Sequence, residues 1–513
     1  MRRRILGLAV LLALLGLGTA AAQPPEDTKE KKEEKEKTAE WPKAEDKLVT
    51  TQHKATIGGK EVRYTATAGT LVLREEEGKP RANIFFVAYT RDGVQDRAKR
   101  PVTFAYNGGP GSSSVWLHMG AFGPRRVEMG AEGMALPPPY RLVDNGESLL
   151  DVTDLVFIDP VTTGYSRAVP GEDAKKFHGI KEDAEAVAEL IRLWTTRFGR
   201  WSSPKFLAGE SYGTTRSARL SNLLQEHHGM YLNGVILISS ILNFQTARFN
   251  VGNDLPYPLF LPTYTATAWY HKRLPPDLQA GGLQKAVEEA ERFAMGEYTL
   301  ALMQGNDLEE ARWNDIAAKV SRYTGLSADY VKRTNLRPEI QAFVKELLRD
   351  QRTTVGRLDS RFKGMDRDAA GENNELDPSY AAIQGPFTAT FNDYVSQDLG
   401  FKSDLPYEIL TDRVRPWSYG EFANQYANVA EDLRQAMSRN PALKVFVGNG
   451  YYDLATPFFA TRYTFDHLGF EPDYERRVTM HYYEAGHMMY IRRADHEQLK
   501  KDIAAFIAAA GGG

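Results

Sequence analysis

Ser211 stands in Gly209-Glu210-Ser211-Tyr212-Gly213, directly after the short apolar run Lys205-Phe-Leu-Ala208 and before a helix-like stretch from Thr214 to His228. A serine on a sharp strand-to-helix turn is placed to attack a carbonyl carbon. The turn holds it in a strained backbone conformation, and the glycines two before and two after let strand and helix approach without Cβ clashes. The helix start beneath it offers unpaired backbone N–H groups to the negative charge that develops on the reacting carbonyl. The five-residue pattern alone also fits an ordinary tight turn; the strand before and the helix after favour the nucleophile.

A serine hydroxyl needs a base, and the base needs a group to orient it. On a strand-turn-helix nucleophile these follow in the order acid, then histidine. Val445-Phe446-Val447 reads as a buried strand, and the loop Gly448-Asn-Gly-Tyr-Tyr-Asp453-Leu-Ala-Thr-Pro457 offers Asp453 at its carboxyl end. Val478-Thr-Met-His-Tyr-Tyr483 reads as the next strand, and Glu484-Ala-Gly-His487 places His487 just beyond it. Reactive groups on open α/β sheets collect at that edge. Among the other histidines, His481 falls inside the strand pattern, His467 on the helical stretch from Phe458 to Leu468, and His496 in the terminal helix. Ser211, Asp453 and His487 are therefore the candidate triad.

The tetrahedral oxyanion also needs donors. Val102-Thr-Phe-Ala-Tyr106 reads as a strand that runs into Asn107-Gly108-Gly109-Pro110-Gly111-Ser112-Ser113-Ser114, a loop able to turn bare backbone N–H groups toward the site. The candidate pair is the N–H of Gly109 and that of Tyr212. A phosphate-cradling loop is the competing reading, but no Gly-Lys-Ser/Thr follows the glycines.

Four blocks in this order resemble the serine carboxypeptidases, which are α/β-hydrolases with a cap inserted before the catalytic aspartate. They are Asn107-Gly-Gly-Pro-Gly111 with Gly123-Pro124, Asp159-Pro160 with Gly164-Tyr165-Ser166, Gly209-Glu-Ser-Tyr-Gly213, and Ala485-Gly-His-Met488. The resemblance runs from about Val102 to Thr246 and resumes from Val445 to Ile491. It implies Ser211, Asp453 and His487 as the triad and Gly109 with Tyr212 as the oxyanion hole. It further implies that Asn107 and Glu210 hold the free α-carboxylate of a peptide substrate. A protonated Glu210 donates a hydrogen bond to a carboxylate, whereas an ionised one repels it, so peptidase activity should favour acid pH.

The chain departs from the family pattern in places. Ala121 stands where many members carry a second acid two residues before Gly-Pro, which removes the partner carboxyl expected beside Glu210. Ala105 replaces a common tryptophan, Ser112 a common cysteine, and Gly450-Tyr-Tyr-Asp453 the usual Gly-Asp-x-Asp. Such changes suit a divergent bacterial branch.

Met1-Arg-Arg-Arg4, an apolar run from Ile5 to Leu17 and Gly18-Thr-Ala-Ala-Ala22 have the charged, apolar and small-residue regions of a signal peptide, with cleavage expected after Ala22. A secreted or periplasmic hydrolase follows, with no stable membrane insertion once the leader is removed. The chain has no cysteine, so disulfides, thiol nucleophiles and Cys-ligated zinc are excluded. The triad itself calls for no metal or organic cofactor. Formal net charge is −3, and −6 without Arg2, Arg3 and Arg4. With no basic stripe, nucleic acid is not an expected partner. Residues 23–49 include Lys29-Glu-Lys-Lys-Glu-Glu-Lys-Glu-Lys37 and read as a charged, disordered spacer.

From about Thr50 the runs His53–Ile57, Glu61–Glu75 and Arg81–Thr90 alternate apolar and polar residues as an antiparallel meander. Leu155–Ile158, Phe206–Ala208 and Val235–Ile238 are short continuous apolar runs of buried parallel strands, and Lys181–Phe198 carries the stripe of a sheet-packing helix. After Ser240 the strand rhythm stops until Val445. The expected fold class is α/β: a mixed, mostly parallel central sheet flanked by helices, its core formed by residues 50–245 and 441–513. Residues 246–440 form a largely helical cap. Its expected helices are Gln279–Met303, Leu308–Tyr323 and Pro338–Arg349, and its aromatics Tyr257, Phe260, Tyr264, Trp269 and Tyr270 suit a small core of the cap's own. Residues 356–376 read as a loop; an arginine there offers a bidentate grip on a substrate carboxylate in place of the acid missing at Ala121, a solvated loop arginine being the commoner outcome. An esterase or acyltransferase on the same scaffold is the alternative enzyme, and a catalytically silent binding module the alternative from another class.

Overall fold

The computed structural model describes residues 43–469 and 476–511. The expected leader and most of the expected spacer lie outside the described residues.

Among the described residues the main sheet has ten strands, nine of them along one path: β1 (Lys47–Ile57), β2 (Lys60–Arg74), β3 (Pro80–Arg91), β4 (Val102–Tyr106), β5 (Asp154–Ile158), β6 (Lys205–Ser211), β7 (Gly234–Ser240), β8 (Lys444–Gly450) and β9 (Val478–Tyr483). Their spatial order is β1-β2-β3-β5-β4-β6-β7-β8-β9, and the short strand Arg167–Ala168 pairs with β3 off this path. β1, β2 and β3 form the antiparallel meander read from their alternation, and β3 joins β5 antiparallel. From β5 onward all neighbours are parallel. β1 begins at Lys47, so the last three residues assigned to the spacer are paired in the sheet.

The parallel strands are apolar at successive positions because both faces are covered. Phe104, Tyr106, Leu207, Val235 and Leu237 point into one core together with residues of α1 (Ile180–Arg197) and α2 (Tyr212–His228). Ala105, Phe206, Ala208, Ile236 and Phe446 point into the other, which the C-terminal helix Arg493–Ala510 closes with Leu499, Ile503 and Phe506.

Between β7 and β8 the chain builds helices around a third core. Here α3 (Pro256–Tyr270) starts on a proline, a residue suited to the first helical turn. Tyr257, Phe260 and Tyr264 pack into this third core with Ala286, Val320 and Phe343. None of them lines the cavity that Ser211 and His487 share. Tyr452, Leu454 and Phe458, which follow β8, belong to the same cluster, so the insertion is anchored on the loop that carries Asp453. Residues 356–377 are mostly loop, as read from the sequence, apart from a two-residue strand at Lys363–Gly364. The helix Pro378–Gln397 was not assigned from the sequence, where Pro386 argues against it, although Ile383, Phe387, Phe391, Tyr394 and Val395 share its buried face. Among the described residues no helix is long and apolar enough to cross a membrane.

Candidate active site

Ser211 ends β6 and caps α2 with φ 59° and ψ −130°, a conformation that L residues adopt only when the surroundings impose it. The surroundings here are backbone. A Cβ on Gly209 would lie 2.1 Å from the carbonyl oxygen of Gly213, and one on Gly213 would lie 2.8 Å from that of Tyr106. Strand, turn and helix therefore pack at a separation that only glycine allows. The Thr214 hydroxyl donates to the Ser211 carbonyl at 2.6 Å, closing the turn.

His487 Nδ1 lies 2.7 Å from Asp453 Oδ2, and both side chains are buried. Asp453 is held from every side: Oδ1 accepts the N–H of Ala455 at 2.8 Å and of Thr456 at 3.0 Å, and Oδ2 also accepts the Thr456 hydroxyl at 2.7 Å. Burial disfavours the His487 imidazolium. The charge and hydrogen bond of Asp453, with the charge of Glu210, outweigh burial and raise the pKa above its ordinary value, while Arg357 pulls the other way. Backbone bonds fix the ring's position: the His487 N–H donates to Leu358 O at 2.6 Å and the Ser239 hydroxyl donates to His487 O at 2.7 Å.

Ser211, His487, Glu210, Asn107, Gly109 and Tyr212 all line one cavity of about 440 Å³. Gly109 has φ 104°, and a Cβ on the preceding Gly108 would sit 2.3 Å from Tyr212 N. The glycine loop thus lies directly against the start of α2. Arg216, one turn into α2, secures it: Nη1 donates to Asn107 O at 2.6 Å while Nε donates to Asp183 of α1 at 2.7 Å. This fully buried guanidinium also lies over the rings of Tyr106 and Tyr212. The sequence carried no signal for it beyond an arginine four residues after Tyr212.

Replacing Gly108 with alanine is expected to lower kcat by about 10²–10³, the cost of losing an oxyanion donor, because the added carbon must push the loop off Tyr212. Steady-state kinetics alongside thermal melting would separate that effect from simple unfolding.

Asn107 and Glu210 share the far wall. Asn107 Oδ1 accepts the Leu117 N–H at 3.0 Å, which turns Nδ2 the other way. That buried Nδ2 makes no hydrogen bond of good geometry among the described residues, although the amide is near enough to Glu210 to lower its pKa slightly. An orphaned buried donor is costly unless a ligand completes it. Burial pushes Glu210 up to about 7, against the opposing pull of the His487 charge and of Tyr490, whose hydroxyl donates to Oε2 at 2.5 Å.

Residues 59–507 match the family described as serine carboxypeptidase. The chain belongs to the serine carboxypeptidase family. Two curated members of similar sequence are serine carboxypeptidase-like 29 and serine carboxypeptidase-like 34 of Arabidopsis thaliana. Each is 26% identical, over 170 residues (33% of each chain) and over 202 residues (37% of each chain) respectively. These alignments span about a third of the relatives' length. Among solved structures, Kex1Δp, a prohormone-processing carboxypeptidase from Saccharomyces cerevisiae, superposes with a TM-score of 0.55 at 17% identity, covering 87% of this chain and 91% of that one. The α/β-hydrolase fold expected from the sequence is the fold observed.

The family's second carboxyl has no counterpart at Ala121. That residue is buried in a turn of π-helix, and its carbonyl accepts Asn145 Nδ2 and His496 Nε2, both at 2.9 Å. Tyr490, three residues after His487, takes the place beside Glu210, and sequence reasoning missed it because it reads as part of an apolar run. Ser112, at the common cysteine position, accepts Trp116 Nε1 at 2.9 Å. The Asp159 block is scaffold: its carboxylate accepts the N–H and hydroxyl of Ser114 behind the glycine loop, and a Cβ on Gly164 would fall on it. The other histidines stay away from the cavity. His481 stacks on Phe446, His467 bonds to its own helix at Tyr463 O, and His496 is held by Ala121 and Arg126.

Proposed function

We propose that the chain is a secreted serine-type carboxypeptidase that cleaves the C-terminal peptide bond through an acyl-enzyme. The observation that carries this reading is the 2.7 Å bond between buried His487 and Asp453, formed at the edge of the cavity that also holds strained Ser211. Ser211 attacks the carbonyl carbon and His487 takes its proton. The tetrahedral oxyanion rests on the N–H groups of Gly109 and Tyr212. Collapse expels the C-terminal residue as the amine, which receives the proton from His487, and water repeats the sequence on the ester. Asp453 holds the imidazole tautomer. Asn107 Nδ2 and protonated Glu210 hold the substrate's α-carboxylate, which accounts for a donor left without a protein partner. Secretion is inferred from the leader.

The test compares a blocked dipeptide as free acid, amide and ester, with a fluorophosphonate probe to report the serine. Stoichiometric labelling at Ser211 excludes a silent binding module, and equal rates on acid and amide would defeat the carboxypeptidase reading. The esterase or acyltransferase reading draws on Ala121, because an ester needs no grip on a terminal carboxylate; activity confined to the ester would favour it.

Glu210 sets the alkaline limit. As pH rises through about 7 its carboxyl ionises and repels the substrate's carboxylate, so KM for the free acid rises while that for the ester does not. In Glu210→Gln the amide oxygen accepts from Tyr490 and the amide nitrogen donates at any pH, so the rise in KM should vanish. A KM–pH profile of both proteins checks this.

A further inference from the structure

Three arginines line the catalytic cavity. Arg415 is paired with Asp412 at 2.7 Å, and Arg248 lies exposed over the Phe244 ring with Tyr419 OH at 3.1 Å. Arg357 differs from both. It is half-buried, and its guanidinium has no carboxylate partner among the described residues. Asp377, which accepts the Arg357 N–H at 3.2 Å, has its oxygens engaged by the Leu358 N–H and by the hydroxyl of Ser379.

The backbone that carries Arg357 is fixed. Leu454 N–H donates to Arg357 O at 3.1 Å, His487 N–H donates to Leu358 O, and Asp359 accepts the Gly486 N–H at 3.1 Å while pairing with buried Arg361. A Cβ on Gly486 would lie 2.5 Å from Asp359 Cβ, so the strap is seated directly on the histidine loop. Leu358 N–H reaches the Ser379 hydroxyl at 3.1 Å, which places Arg357 beside Tyr380, and the Tyr380 ring stands 6.4 Å from that of Trp116. Trp116 precedes Leu117, the residue that holds Asn107 Oδ1. Arg357 therefore belongs to the wall that leads to Asn107 and Glu210, where the C-terminal residue of a substrate would lie. Leu358, Ile383 and Met488, with the Tyr380 ring, give that side of the cavity its apolar surface.

We propose that Arg357 is a specificity-determining residue that selects peptides whose C-terminal residue has an acidic side chain, the apolar wall taking its stem and the guanidinium its carboxylate. This rests on the carboxypeptidase reading. A guanidinium matches a carboxylate in a two-bond geometry and stays charged at every working pH. Its charge opposes the imidazolium that forms on His487 during attack, and an acidic side chain cancels that opposition.

The test uses the full chain and blocked dipeptides ending in glutamate, glutamine or leucine, each as free acid and amide, at about pH 6, where the glutamate side chain is ionised. Wild type should show kcat/KM for glutamate over glutamine of at least about tenfold, declining as salt is raised. Arg357→Gln should bring that ratio to about one, and Arg357→Lys, which keeps the charge, should retain part of it. A wild-type preference for acid over amide with no advantage for glutamate overturns the inference and leaves the carboxypeptidase reading standing. Equal losses on glutamate and glutamine in Arg357→Gln overturn it too, since they mean that Arg357 grips the α-carboxylate or only supports the strap. No wild-type preference for acid over amide removes both.

Discussion

Ser211→Ala should lower kcat for peptide hydrolysis by about 10⁵ and abolish labelling by a fluorophosphonate, with little change in melting temperature. The hydroxyl is the only oxygen on the turn placed to form the acyl-enzyme, and its loss leaves binding and the oxyanion donors as the sole residual catalysis. Stability should hardly change because the position is imposed by neighbouring backbone: Gly209 against Gly213 O, Gly213 against Tyr106 O and Gly108 against Tyr212 N. Relief of the φ 59° strain is not expected, since alanine must adopt the same conformation. Pre-steady-state kinetics would show no burst of leaving group. A variant that kept more than a hundredth of wild-type kcat, far above the residual that a loss of about 10⁵ leaves, would remove Ser211 from the chemistry.

Asp453→Asn is expected to cost about 10⁴ in kcat while leaving KM within a few-fold, for a reason legible in its hydrogen bonds. Oδ1 accepts two backbone N–H groups, those of Ala455 and Thr456. An asparagine keeps both only by placing its oxygen there, which puts its NH2 group opposite His487 Nδ1, where Oδ2 now stands at 2.7 Å. The ring must then accept at Nδ1 and carry its proton on Nε2, the nitrogen that should take the proton of Ser211. The His487 pKa falls as well, because the charge and hydrogen bond that raise it against burial are removed. The measured acid limb of kcat should move to lower pH even as the plateau collapses. An unchanged plateau would show that Asp453 does not orient the base.

Much of this architecture was legible because its signals are local. The inner parallel strands are short, largely apolar runs closed by glycine or polar residues, and the Gly209–Gly213 turn announces itself by the residue types that its contacts demand. Asp453 and His487 follow strand ends, so a reading of chain order places them at one edge of the sheet. The helix Pro378–Gln397 was missed because Pro386 argues against a helix when read alone, although Ile383, Phe387, Phe391, Tyr394 and Val395 recur at helical spacing on its buried face.

The candidate constellation was legible in the sequence itself: the order of four blocks, the strand before each proposed reactive residue and the glycines around the serine follow from short-range sterics and periodicity. The tertiary structure alone decided what surrounds it. Tyr490 meets Glu210 across 280 positions, Arg216 reaches Asn107 O across 109, and the Gly486 N–H donates to Asp359 across 127. Contacts at such separations depend on how the cap insertion and the sheet edge close together, and no local pattern of residue types encodes that closure. The strap carrying Arg357 is the clearest case: in sequence it is a polar loop, and only the bonds from Leu454 and His487 to its carbonyls turn it into a wall of the site.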